Sequence, residues 1–233
     1  MAEVFTIIAF YKFVPLSDFR ELKGPLLEFL NEQEIRGTIL LAREGINGTV
    51  SGSDSSIKNL IARFKENERF ADLEYKFGEH YEQPFKKTKV KLKKEIISFG
   101  RPLEPSQPVG TYVDHEQWNA LLNDENVIVI DTRNNYEVEL GKFPGAINPD
   151  TDSFRQLVEF ADGQLEAHRD AKIAMYCTGG IRCEKFSSYL LDKGFQNVFH
   201  LKGGILKYLA DVPESQNRWE GTCYVFDDRR FLK

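Results

Sequence analysis

Cys177-Thr178-Gly179-Gly180-Ile181-Arg182 is the segment of this sequence whose residue types and spacing best suit chemistry. It follows an apolar run with strand character, Lys172-Ile-Ala-Met-Tyr176. It leads into residues 183–193, where Phe186, Tyr189 and Leu190 recur at helical spacing. A strand-to-helix turn directs backbone N–H groups into its bowl, and the following helix adds its positive end. Two glycines let the backbone curl around an anion with no Cβ in the way. A thiol held there beside Arg182 is expected as the thiolate, the nucleophilic form. The same donors would hold a persulfide or stabilise developing negative charge. Cys177 and Arg182 are therefore the candidate catalytic residues, and Thr178, Gly179, Gly180 and Ile181 the loop that shapes the site. The plainer alternative is a buried cysteine at a strand end followed by an ordinary glycine turn. Cys183 reads as a small packing residue at the start of the helix, with a resolving thiol for Cys177 as its alternative.

The elements that must position this loop alternate. A helix over 114–123 precedes an apolar strand, Val127-Ile-Val-Ile-Asp131, and Val198-Phe199-His200-Leu201 is a short strand leading to Gly203-Gly204. Such alternation implies a parallel sheet with both faces covered. The first hundred residues have a different grammar. Residues 3–13 read as a buried strand, and Leu16, Phe19, Leu22, Leu26, Leu27 and Leu30 give a helix over 16–34. Residues 37–51 read as strand, Gly/Asn turn, strand, with Gly45, Asn47 and Gly48 in the turn. A helix over 54–66, capped by Ser53 or Asp54, and a strand over 72–78 complete a β-α-β-β-α-β order, the ferredoxin-like split unit. Between the halves lies 101–110, RPLEPSQPVG, rich in proline and read as a linker. The polar tail 213–233 has no assigned element.

The chain has 233 residues, 41% hydrophobic and 29% charged, enough for two small domains with real cores. No apolar run approaches the roughly 20 residues that span a bilayer. The N-terminus lacks the basic start and small-residue cleavage site of a signal peptide. Three cysteines, an odd and sparse set, point to a reducing cytoplasm. No pair has metal-site spacing and the four histidines are scattered, so no metal is expected. The net charge is −5, yet residues 84–101 carry Lys86, Lys87, Lys89, Lys91, Lys93, Lys94 and Arg101 against one acid, Glu95. The alternation from Lys87 to Ile97 has strand period. A basic stripe on an acidic protein points to a polyanion contact, and its plainer reading is a lysine-guarded sheet edge. Arg43-Glu44 is not demanded by the turn beside it, and Arg43 suits a phosphate.

Residues 110–212 resemble the rhodanese family. The resemblance rests on Val129-Ile-Asp131-Thr-Arg133, Tyr136-Glu137, Gly141-Lys-Phe-Pro144-Gly145-Ala146-Ile147-Asn148, the loop 177–182 and Leu201-Lys-Gly203-Gly204. It implies a rhodanese-type α/β domain in which Asp131 and Arg133 are structural anchors around the active loop. The spacing C-x4-R is that of sulfurtransferase-type members; the related cell-cycle dual-specificity phosphatases have a loop one residue longer. With Gly37-Thr-Ile-Leu-Leu-Ala-Arg43-Glu44-Gly45-Ile46-Asn47-Gly48-Thr49 ahead of CTGGIRCEK, the whole chain resembles the bacterial tRNA uridine(34) hydroxylases. Longer members of that family continue past the Cys223-Tyr-Val-Phe-Asp-Asp region with further cysteines that this sequence does not show.

That resemblance implies a ferredoxin-like (acylphosphatase-like) α+β domain over 1–100, a linker over 101–110, a rhodanese domain over 111–212 and a C-terminal tail over 213–233. It implies a cytoplasmic enzyme that converts uridine 34 in the tRNA anticodon loop to 5-hydroxyuridine, with molecular oxygen as co-substrate. Arg43, Lys86, Lys87, Lys89 and Lys91 are the candidate RNA contacts. The chain has no dinucleotide-type glycine motif and no RNP1-type aromatic signature. A conventional oxygen-activating cofactor thus has no evident home. Two other readings stay open: a sulfurtransferase carrying a Cys177 persulfide to tRNA or protein, and a non-enzymatic RNA-binding adaptor.

Overall fold

The computed structural model describes residues 4–104, 106–225 and 231–232. The expected strand start at Glu3, one linker proline and part of the tail fall outside them. The chain divides into two compact units, the first ending at Pro105 and the second beginning at Ser106.

The first unit is a mixed α+β layer. Its elements are β1 (Phe5–Phe13), α1 (Lys23–Glu32), β2 (Arg36–Ala42), β3 (Gly45–Gly52), α2 (Asp54–Lys65), β4 (Tyr75–His80) and β5 (Thr88–Leu92). The sheet order is β4-β1-β3-β2-β5, with the first four strands antiparallel and β5 added parallel to β2. Ile8, Phe10, Ile39, Val50 and Val90 meet Leu26, Leu30, Ile57, Leu60 and Phe64 of the helices in one buried core. Ser53 caps α2, its side chain accepting from the Ser56 N–H.

Four local expectations are corrected here. The first helix does not begin at residue 16: residues 17–22 form turns and α1 starts at Lys23. Pro25 has no N–H and fits only a first helical turn, so a helix running through it from Leu16 would lose a hydrogen bond and clash. The Gly/Asn turn shrinks to Arg43-Glu44. Asn47 and Gly48 lie within β3, opposite Leu40 and Ile39. Gly45 and Gly48 are there for close packing. A Cβ on Gly45 would sit 2.0 Å from the Lys12 carbonyl oxygen, and one on Gly48 would sit 2.8 Å from the Phe10 ring. The fourth strand runs Tyr75–His80 rather than 72–78, because Leu73 closes the preceding turns by donating its N–H to Phe70. The lysine-rich strand stops at Leu92, well short of Ile97. Beyond it the Glu44 carboxylate accepts the Ile96 and Leu103 N–H groups, and Glu95 accepts those of Phe99 and Gly100. Carboxylates replace the ladder as partners for that backbone.

The second unit is an α/β layer. In chain order it holds β6 (Thr111–Val113), α3 (His115–Leu122), β7 (Val127–Asp131), α4 (Asn135–Val138), β8 (Gly141–Lys142), α5 (Leu157–Phe160), β9 (Lys172–Tyr176), α6 (Ile181–Asp192), β10 (Val198–Leu201) and α7 (Gly204–Asp211). The sheet is all parallel in the order β6-β10-β9-β7. Central β9 is buried from Ile173 to Tyr176, which explains its unbroken apolar run. Trp118, Phe143, Tyr176, Ile205 and Tyr208 form the core on one face. Phe143 packs edge-on against Tyr176 and Tyr208, each with ring centroids 4.9 Å apart. In open α/β sheets ligands bind beyond the carboxyl ends of strands, and Cys177 directly follows the carboxyl end of β9.

Candidate active site

β9 ends at Tyr176, the loop 177–180 turns, and α6 begins at Ile181. Gly180 caps α6 with φ +97°, a left-handed conformation that suits glycine. It brings the Gly180 N–H to 3.0 Å from the Cys177 Sγ. The backbone N–H groups of Arg182 and Cys183 add to the stabilisation of its anion, the Cys183 N–H donating to the Gly180 carbonyl at 3.1 Å. The loop's carbonyls point the other way: those of Cys177 and Thr178 accept from Ile205 and Leu206 in the first turn of α7, at 3.0 and 3.1 Å. Unpaired donors of one helix start thus hold the loop from behind, while those of another face the thiol. Gly204 lets α7 approach this closely. Its φ is +68°, and a Cβ there would lie 2.4 Å from the Cys177 oxygen.

Burial pushes the Cys177 thiol up, but a hydrogen bond from Cys183, the charge of Arg182 and the backbone donors outweigh it and lower it to about 5. Cys183 moves the opposite way, raised by burial and by its anionic neighbour. Cys223 is pushed up to about 12 by burial. Cys177 itself is 0% exposed.

Arg182 is held by Glu137 of α4. Its two Nη atoms donate to the Glu137 carboxylate at 2.6 and 2.7 Å, and the Thr178 Oγ1 donates to the same carboxylate at 3.0 Å. Burial pushes Glu137 up, but the charge and hydrogen bonds of Arg182 prevail and hold it below the usual carboxylate range. Asp131 and Arg133 form a second buried pair. Arg133 donates to both Asp131 oxygens, at 2.9 and 2.6 Å, and to the Glu137 and Gly141 carbonyls. Arg133 therefore fixes the backbone that carries Glu137, which in turn fixes Arg182. Between the pairs, Thr132 donates its hydroxyl to the Tyr176 carbonyl at 2.9 Å and lies 3.6 Å from the Cys183 Sγ.

The profile of the UPF0176 acylphosphatase like domain matches residues 5–96, and that of the rhodanese-like domain matches residues 114–211. A tRNA uridine(34) hydroxylase of Picosynechococcus sp. is 50% identical over 230 residues, which cover 98% of this chain and 77% of that protein. The chain belongs to the tRNA uridine(34) hydroxylase family. Among solved structures, the Alr3790 protein of Anabaena sp. is 24% identical over 47% of this chain and 91% of its own, with a TM-score of 0.38. A rhodanese-like domain protein of Staphylococcus aureus is 20% identical over 42% and 90%, with a TM-score of 0.36.

In this member of the hydroxylase family Lys86, Lys87, Lys89, Lys91, Lys93 and Lys94 are all exposed. Lys89 and Lys91 share one face of edge strand β5, while Val90 between them enters the core. Arg43 is exposed in the β2–β3 turn, whereas its neighbour Glu44 is buried as a backbone acceptor. Among the described residues no group of three or more His, Cys, Asp or Glu is placed to hold a metal ion. No helix among them is long and apolar enough to cross a membrane. Glu137, Thr132 and Gly204 did not stand out in the sequence as site residues. Two signals pointed to Glu137: its place in the Tyr136-Glu137 motif, and the need of a buried arginine after a nucleophile for a carboxylate partner.

Proposed function

We propose that this protein hydroxylates C5 of uridine 34 in the tRNA anticodon loop, with molecular oxygen as co-substrate and Cys177 as the reacting group. The observation that carries the reading is the Cys177 sulfur. It is stabilised as a thiolate by N–H donors at the start of α6, in a chain half identical along nearly its whole length to a uridine(34) hydroxylase. Uracil C6 is electrophilic. Addition of the thiolate there forms an S–C6 bond and places an enolate across C5, C4 and O4, and the electron-rich C5 then reacts with oxygen. The donors that stabilise the thiolate also make it a good leaving group when the C5=C6 bond is restored.

Arg182 acts through its charge, because Glu137 fixes its Nη atoms in place. Asp131 and Arg133 support the loop from beneath. The exposed lysines of 86–94 and Arg43 serve the RNA phosphates, and unstacked anticodon bases reach a pocket at low cost. A tRNA substrate and free thiols fit the cytoplasm. The test is nucleoside mass spectrometry of tRNA from a strain lacking the gene, carrying either the wild-type chain or Cys177→Ala. Hydroxylated uridine restored only by the wild type supports this reading. A deficit of thiolated uridine supports sulfur transfer, and no change in either supports the adaptor.

A further inference from the structure

Adding one oxygen atom from O2 to C5 leaves the other to be reduced to water, which takes two electrons. Two thiols becoming one disulfide release that number. We infer that Cys183 is the second thiol of the reaction, condensing with Cys177 so that the pair leaves each turnover as a disulfide. The inference rests on the hydroxylase reading and extends it to the source of the electrons.

The geometry that carries it lies in the first turn of α6. Cys183 stands on the turn that holds the Cys177 sulfur: its N–H donates to the Gly180 carbonyl at 3.1 Å while the Gly180 N–H donates to the Cys177 sulfur at 3.0 Å, and its thiol favours the Cys177 anion. Both side chains are buried. On the other side of Cys183 stands Thr132, whose hydroxyl proton is committed to the Tyr176 carbonyl. Thr132 can therefore only accept from Cys183. The thiol proton has two acceptors, the Cys177 sulfur and Thr132 Oγ1, and stays inside the site. Cys223 makes no such contact; its thiol points to the Tyr224 carbonyl.

The balance runs through a hydroperoxide at C5. Loss of the C5 proton restores the C5=C6 bond and breaks S–C6, and the Cys177 thiolate so released attacks the distal oxygen of the hydroperoxide. An S–O bond forms, the O–O bond breaks, and the C5 oxyanion leaves and takes up a proton to give the hydroxyl product. Cys177 is now a sulfenic acid. Cys183 sulfur attacks it, the S–S bond forms, the S–O bond breaks, and hydroxide departs with the Cys183 proton as water. A dithiol reductant, small molecule or protein, reopens the disulfide for the next turnover.

Two measurements on the full chain test this. In the first, reduced protein freed of reductant receives one equivalent of hydrogen peroxide without RNA, followed by peptide mass spectrometry. A Cys177–Cys183 disulfide is expected with Cys223 still free, and in Cys183→Ser a Cys177 sulfenic acid that dimedone labels. Cys177 oxidised to sulfinic acid beside an intact Cys183 thiol in the wild type would overturn the inference. In the second, the same protein meets substrate tRNA in air without reductant. One hydroxyuridine and one disulfide per protein are expected. Several hydroxyuridines per protein, or hydroxyuridine with no thiol lost, also overturn it. Peroxide-driven disulfide with no hydroxyuridine from any tRNA sinks the substrate reading instead.

Discussion

Glu137 grips Arg182 with both carboxylate oxygens, at 2.6 and 2.7 Å, and both side chains are buried. The pair spans 45 residues of sequence and ties α4 to the first turn of α6. Its charges have left water, so the pair is held by geometry and becomes costly when halved. Glu137→Ala should destabilise the protein by about 3–5 kcal/mol, since it strands a buried guanidinium. Glu137→Leu combined with Arg182→Leu should recover most of that loss. Urea unfolding decides this. The double variant should also raise the Cys177 midpoint, because the guanidinium charge is gone. A double variant as unstable as Glu137→Ala would show that the pair contributes more than mutual compensation.

The Cys177 thiol is lowered to about 5, while Cys223 is raised to about 12. Ultraviolet thiolate absorbance on the native protein should therefore show one titration near pH 5, absent from Cys177→Ser. Iodoacetamide should label Cys177 before Cys183 and Cys223 at neutral pH. Cys177 is buried, so its lead comes from thiolate character and loop opening rather than from exposure. The folded value lies below the ordinary thiol value of 9.0. The stabilising contribution is thus complete above about pH 9 and is lost as the pH falls through about 5. Equal labelling rates for the three cysteines, or no titration near pH 5, would refute the thiolate.

Much of this site was legible because its supports are local. The runs 127–131, 172–176 and 198–201 are strands to the residue, since a strand buried on both faces needs an unbroken apolar stretch. The loop 177–182 was legible from its glycines and its position between strand and helix. What escaped depends on distance along the chain. Glu137 stands 45 residues before Arg182, and only the folded chain brings the two together. Gly204 reads as half of a turn, and only the folded chain shows the Cys177 carbonyl against it. The helical turns within 154–168 are short segments of three to five residues and give no sustained period to detect. Cys183 reads as packing because sequence does not record which way its thiol faces.

Six exposed lysines lie on and around edge strand β5, and if they meet RNA phosphates the contact depends on salt. Binding of tRNA should weaken steeply as salt rises. Each phosphate contact removed should lower the slope of log K against log salt by about 0.7 on single strands. Lys89→Glu with Lys91→Glu should show this with little loss of stability, since both side chains point to solvent. Filter binding across a salt series measures it. Unchanged affinity and slope after reversing several of these charges would leave the lysines as guards of a sheet edge.

Addition of Cys177 to uracil C6 has a consequence that sulfur or oxygen transfer lacks. The addition forms an S–C6 bond, and turnover breaks it only after the C5 hydrogen leaves as a proton. Fluorine at C5 cannot leave in that way, so tRNA carrying 5-fluorouridine at position 34 should remain bonded to the protein. Mass spectrometry of the digested complex should find the nucleotide on the peptide that contains Cys177, and Cys177→Ala should yield none. A persulfide or a sulfenic acid acting on the base makes no bond between the Cys177 sulfur and carbon. If the fluorinated RNA is released intact while native tRNA is hydroxylated under the same conditions, C6 addition is excluded and those transfer routes take its place.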